Sequence, residues 1–274
     1  KLAEELPPAH STPYTLDAPE AFLSSKAIYR RALQNIAITA HDLPIPPSYI
    51  DSLRAMQGFK VILQSKWFNA VTIAVVDPAF DPFVLLELPM VTDVKSVLCV
   101  DGEVREPDAA APARAFVEQT AYGGGLAPLQ QLNADWLHGL GFRGEGMTIA
   151  VLDAGFENTE SLPIFQRAWN AGRIQEGLDA MYSQGGLFAH HRHGTAVLGT
   201  MAGHLEDSLI GTAPDATYVL YRTEDAYSEY LIEEDYWVAA AEHADSIGVD
   251  LMNTSLGYSL FDDSTMNHVY DDLN

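Results

Sequence analysis

Residues 147–156 read MTIAVLDAGF, and residues 191–203 read HRHGTAVLGTMAG. The run Met147, Ile149, Ala150, Val151 and Leu152 is apolar without alternation, the pattern of an internal strand in a parallel sheet covered on both faces. Asp153 falls where that strand ends, and Gly155 lets the chain turn at once. In open α/β sheets the carboxyl ends of the strands are where the chemistry gathers. About forty residues on, His193 precedes Gly194, Thr195 and the small-residue run Ala196 to Gly203, which suits a helix packed close against the sheet. An aspartate closing a central strand and a histidine opening a neighbouring helix are the orienting acid and general base of a nucleophilic hydrolase.

The segments VLDAGF (151–156) and HGTAVLGTMAG (193–203), in that order, resemble the aspartate and histidine motifs of the subtilisin-like serine proteases. Supporting matches flank them: LHGLGFRGEG before, then GTAPDATYVLYRT and DLMNTSLGY after. The segments YRTED, SEY and EEDYW, with SKWFNAV further upstream, are most similar to the secreted Bacteroidetes-type members. The resemblance implies an α/β fold: a subtilisin-like parallel sheet sandwiched by helices, incomplete in this chain and preceded by a small α+β propeptide-like domain. It makes Asp153 the triad acid, His193 the base, and Ser255, Leu256 and Gly257 part of the wall that binds substrate backbone.

The family pattern continues with an oxyanion-hole asparagine and a GTSMA-type nucleophile motif, and residues up to Asn274 contain neither. The serines in NTSLG and FDDST do not fit the nucleophile pattern. The expectation is a serine endopeptidase precursor, or a nicked enzyme, holding two of three triad members and inactive alone. A C-terminal catalytic fragment would bring the serine and the oxyanion donor and complete a sheet that has about half of its strands. The alternative is a noncatalytic scaffold of the same fold that binds peptides or proteins.

Composition narrows the partners. The net charge of −23 excludes a nucleic-acid binder, because a phosphate backbone would be repelled. Residues 1–126 carry 15 acidic and 10 basic groups and residues 127–274 carry 23 and 5, so the acidity belongs mainly to the second part. An acid-rich solvated surface explains this, as does a preference for basic substrate side chains. The single cysteine, Cys99, excludes an intrachain disulfide framework. No apolar run approaches the length of a membrane span. The expected location is secreted or cell envelope with a signal peptide removed, and the expected partner is a protein or peptide substrate.

In chain order, residues 1–18 read as an extended arm and 19–103 as an inhibitory, chaperone-like propeptide domain docked on the catalytic part. Residues 104–125 read as an exposed linker holding the maturation site, and 126–274 as the first part of the catalytic domain. In the second segment a helix, PEAFLSSKAIYRRAL, would turn Phe22, Ile28 and Leu33 inward. Arg30 and Arg31 are open to two readings, an exposed helix end or a processing site. A second helix, SYIDSLRAMQG, precedes two strand-like pieces, a helix at FDPFVLLELPMV and a strand at DVKSVLCV. In the last segment Leu132, Trp136, Leu137 and Leu140 would line one helix face, and 157–189, with a helix-like LPIFQRAWNAG, would form a surface loop beside the cleft.

No cofactor is expected for the chemistry. Zinc at His190, His191 and His193 lacks ligand spacing and a fourth donor, which leaves His190 and His191 as polar groups on the approach to the cleft. Calcium is open at Asp225, Glu233, Glu234 and Asp235, although their spacing around a helix is no cage. The family's usual ligand position nine beyond the triad aspartate is Leu162.

Overall fold

The computed structural model describes residues 2, 12–98, 121–181 and 186–269. Its elements in chain order begin with helices α1 (Ser25–Gln34) and α2 (Pro47–Arg54) and strands β1 (Phe59–Ser65) and β2 (Ala70–Val75). After them come α3 (Leu126–Gln131), α4 (Ala134–Gly139), β3 (Thr148–Asp153), α5 (Gln166–Asn170) and β4 (Ile174–Asp179). The remainder is α6 (His193–Ala202), β5 (His204–Leu205), β6 (Leu209–Ile210), β7 (Thr217–Arg222), α7 (Ile232–Ile247) and β8 (Leu251–Thr254). Two units emerge: Lys1–Asp101 with Tyr230–Gly248, and Gly102–Glu229 with Val249–Asn274.

The first unit is a small α+β domain. Strands β1 and β2 pair antiparallel, and Tyr49, Ile50 and Leu53 of α2 join Phe59, Leu85 and Met90 in its core. Helix α1 starts at Ser24, whose side chain accepts from the Ala27 amide, and ends at Asn35 in the left-handed region. Leu33 is 70% exposed, not inward, while Arg31 is buried. Arg31 bonds Asp42 at 2.8 Å and also reaches Asp245 on α7, so it is neither a free helix end nor an accessible processing site. The expected helix at 80–91 is a six-residue 3-10 turn, Pro82–Glu87, and residues 93–98 form no strand. In the first run Pro82 and Pro89 bound the apolar stretch and keep an α-helix from propagating.

Helix α7, unlike the rest of the second half of the chain, belongs to this unit. Glu242 accepts from the Ser65 hydroxyl at 2.6 Å and from the Lys66 and Trp67 amides at 2.9 and 3.0 Å. It thereby satisfies the turn joining β1 and β2. Seven residues earlier on the same face, Asp235 accepts from the Thr72 hydroxyl at 2.8 Å.

The second unit is built on a four-stranded parallel sheet of order β4-β7-β3-β8. Strand β3 is buried from Ile149 to Asp153, as an apolar run without alternation requires. Val151, Tyr218 and Leu220 of the sheet pack with Phe156, Phe165 and Leu198 in one core. Together the units give a small α+β domain followed by a parallel sheet flanked by helices, the subtilisin-like arrangement.

Two expectations fail here. Residues 157–189 are not all surface loop, because Ile174–Asp179 forms edge strand β4 on the far side of β7. Leu132, Trp136, Leu137 and Leu140 do not line one buried face. Asn133, with φ 56°, breaks the segment into α3 and α4, and the inward side chains are Leu129, Ala134 and His138. No helix among the described residues is long and apolar enough to cross a membrane.

Candidate active site

Asp153 is the last residue of β3, and both neighbouring strands hold it there. The register pairs Asp153 with Arg222 on β7 and Leu152 with Thr254 on β8, and the Thr223 amide donates to the Asp153 carbonyl at 3.1 Å. Its side chain is fully buried. Oδ1 accepts from the Ala154 amide at 2.7 Å and from Nδ1 of His193 at 2.8 Å.

His193 reaches that oxygen because α6 begins against the end of β3. Gly194 lies so close that an added Cβ would stand 2.5 Å from the Gly155 carbonyl oxygen and 3.0 Å from Cβ of Asp153. Gly155, with φ 153°, is equally closely packed against the His190–His191 backbone. Thr195 pins the first turn by donating to the Glu157 carbonyl at 2.8 Å. The His193 side chain is 46% exposed, so one edge of the ring is held by a buried carboxylate and the rest faces solvent. A donor at Nδ1 fixes the tautomer that leaves Nε2 as acceptor.

Burial pushes the Asp153 carboxyl above its ordinary value, and the hydrogen bonds from His193 and Ala154 and the histidine charges pull in the opposite direction. Glu224 shows the same conflict more strongly. Burial, with repulsion from Asp153, Glu229 and Asp225, pushes it to about 7, against the attraction of His193. Asp153 Oδ2, Thr223 Oγ1 and Glu224 Oε2 are buried without a hydrogen-bond partner among the described residues. Glu224 also lines a cavity of about 110 Å³ with Asp225, Tyr227, Glu229 and Asp262. Glu224 went unread as a site residue because a lone Glu after a strand looks like surface. Its position two residues beyond the strand carrying the Asp153 partner was the available signal.

Ser255, Leu256 and Gly257 follow β8 directly, so Ser255 sits one step past the Leu152–Thr254 pair, level with Asp153. Ser255 and Gly257 are exposed, and Ser255 donates to the Asn253 side chain at 3.3 Å. His191 accepts from the His193 amide at 3.3 Å and packs edge-on to Tyr227, a local role beside the pair.

The described residues contain no group of three or more His, Cys, Asp or Glu side chains placed to hold a metal ion. Asp225 instead accepts from the Tyr227 amide and the Ser228 hydroxyl, Asp235 from Thr72, and Glu233 from the Tyr230 amide.

Both parts of the chain have counterparts among known proteins. Residues 8–110 match the Peptidase S8 propeptide domain of Bacteroidota, and residues 144–271 match the Subtilase family. The chain is similar to Minor extracellular protease Vpr of Bacillus subtilis (strain 168), 31% identical over 140 residues, which is 49% of this chain and 16% of that protein. It is also similar to Bacillopeptidase F of the same organism, 29% identical over 146 residues, 47% of this chain and 10% of that protein. The chain therefore spans a minor fraction of the curated relatives it matches. In order along its length it matches an S8 propeptide domain of the Bacteroidota type and then the N-terminal part of a subtilase domain.

Proposed function

We propose that this chain supplies the propeptide and the acid–base pair of a secreted serine endopeptidase. The observation that carries the reading is the contact between His193 Nδ1 and Asp153 Oδ1 at the carboxyl end of a parallel sheet. A serine from a stretch matching the family's nucleophile motif attacks the scissile carbonyl while Nε2 of His193 takes its proton. The proton passes to the leaving amine, and water then resolves the acyl-enzyme by the same route. Asp153 stays ionised and stabilises the imidazolium. Extended substrate pairs as an added strand along Ser255 to Gly257. The acidic cavity at Glu224, Glu229 and Asp262 supports a preference for substrates with a basic side chain.

In this reading residues 19–103 are the inhibitory domain, anchored through Glu242, Asp235 and Asp245 of α7, and residues 1–18 are its arm, of which 1 and 3–11, like 99–103, lie outside the described residues. Maturation cleaves within the linker 104–125, of which residues 104–120 lie outside the described residues. Among the described residues no ligand set supports structural calcium.

A second reading, a noncatalytic peptide-binding scaffold, draws on one observation: among the described residues no serine hydrogen-bonds His193. Hydrolysis of a protein substrate by the natively purified protein separates the two. Activity that disappears in His193→Ala supports the protease, and absence of hydrolysis with retained peptide binding supports the scaffold.

A further inference from the structure

Residues 127–274 carry five basic groups, all arginine, against 23 acids. Three of the five converge on one carboxylate. Arg143 Nε meets Asp215 Oδ2 at 3.1 Å, Arg167 Nη1 meets Oδ1 at 2.6 Å, and Arg173 Nη2 lies 3.8 Å from Oδ1. Burial opposes ionisation of Asp215, but the bonds and charges of Arg167 and Arg143 outweigh it and hold the carboxyl below its ordinary value. Burial and the same two arginines push His204 down as well. The imidazole is therefore neutral, and its Nδ1 faces Arg143 Nη2 at 3.5 Å and Arg167 Nη1 at 3.3 Å as an acceptor.

Two of these arginines border a cavity of about 350 Å³ lined by Glu145, Arg167, Ala171, Arg173 and Asp215. Glu145 lines it and Glu206 acts on His204 through space, yet neither is ion-paired with the three arginines among the described residues. Arg173 Nη1 is committed to the Pro214 and Ala216 carbonyls at 2.6 and 3.2 Å. The contacts of Arg167 with Asp215 and His204 both run through Nη1, so the Nε–Nη2 edge of this side chain, 45% exposed, is the one turned away from them. A guanidinium edge with two parallel N–H groups matches the two oxygens of an oxyanion.

The cluster lies at the opposite end of the sheet from Asp153. Arg173 directly precedes β4, Asp215 lies two residues before β7, and Arg143 lies in the approach to β3. A six-residue strand separates the two ends by about 20 Å. We propose that this cavity is a second binding site, for a small oxyanion: a carboxylate or sulfate group gripped by the Arg167 edge with Arg173 behind it. Such an exosite would hold an acidic side chain, a chain terminus or a sulfated group away from the reacting bond.

The test is thermal unfolding of the natively purified protein in rising sodium sulfate or sodium acetate, with sodium chloride at matched ionic strength as reference. Arg167→Gln removes the donor edge. Ala171→Glu fills and neutralises the cavity from an exposed position without removing any arginine, so it serves if the first variant folds poorly. The expected result is a saturable rise in Tm of several degrees with at least one oxyanion, absent in chloride and reduced at least threefold in either variant. Response to sulfate alone assigns a tetrahedral dianion, and response to acetate assigns a carboxylate. A rise shared by wild type and variants is a general salt effect and overturns the site, as does no rise at all. Neither result bears on hydrolysis, so the protease reading stands or falls separately.

Discussion

Asp153 meets His193 through a single carboxylate oxygen, Oδ1, which also takes the Ala154 amide, while Oδ2 is buried and without a partner among the described residues. The carboxylate is thus positioned by its backbone neighbour before it touches the histidine. Asp153→Asn keeps the shape but replaces a charge with an amide that cannot stabilise imidazolium. The expected outcome is a fall in kcat of about 10³–10⁴-fold at neutral pH with KM little changed, read from initial rates.

Burial raises the Asp153 carboxyl against the opposing pull of the His193 and Ala154 hydrogen bonds. Removing the His193 contact in His193→Ala should therefore raise it further, read by NMR titration of the Asp153 carboxyl in wild type and variant. An unchanged or lower value in the variant would show that the histidine bond does not oppose burial.

Glu224 gives a stability prediction of definite sign. Its folded-state value of about 7 exceeds the ordinary glutamate value, so between about 4.5 and 7 the folded chain holds more protons than the unfolded one. Its stabilising contribution is present below about 4.5 and is lost as pH rises through about 7. Glu224→Gln should flatten that decline in a series of denaturant titrations from pH 5 to 8. A series parallel to wild type would mean that the carboxyl is not buried as described.

Gly194→Ala places a methyl 2.5 Å from the Gly155 carbonyl and forces α6 away from β3. A cost of about 1–3 kcal/mol is expected from overpacking. A separate loss, about 10²-fold in kcat, follows from displacing His193 by roughly an ångström. Denaturant midpoints and initial rates on the same preparation separate the two effects.

Glu242→Ala removes the acceptor for the Lys66 and Trp67 amides and the Ser65 hydroxyl. These donors are part-buried, so each left without an acceptor costs up to about 1 kcal/mol. Hydrogen exchange at residues 65–75 should accelerate relative to the rest of the N-terminal unit. Unchanged protection there would exclude Glu242 as its anchor.

The neighbourhood of the Asp153–His193 pair was legible because its constraints are local. An unbroken apolar run, an aspartate at its end and a small-residue helix after a histidine leave few other folds for residues 147–203. Strand β4 was not legible, since IQEGLD sits at the sheet edge, where one side tolerates polar residues and periodicity fades. The break at Asn133 depends on a left-handed residue that an apolar pattern does not reveal. Arg31 reads as surface in any one-dimensional view, and only Asp42 and Asp245, 11 and 214 residues away, make its burial tolerable. The Asp215 cluster escaped for the same reason: its arginines are 24 and 6 residues apart in sequence, and a distant turn joins them.

The most direct measurement of the central claim is labelling of the natively purified protein with a fluorophosphonate, followed by mass identification of the modified residue. The account predicts one labelled serine, in a peptide matching the family's nucleophile motif, with labelling abolished by His193→Ala. Absence of a labelled serine in folded, propeptide-free protein, or labelling indifferent to His193, would contradict it.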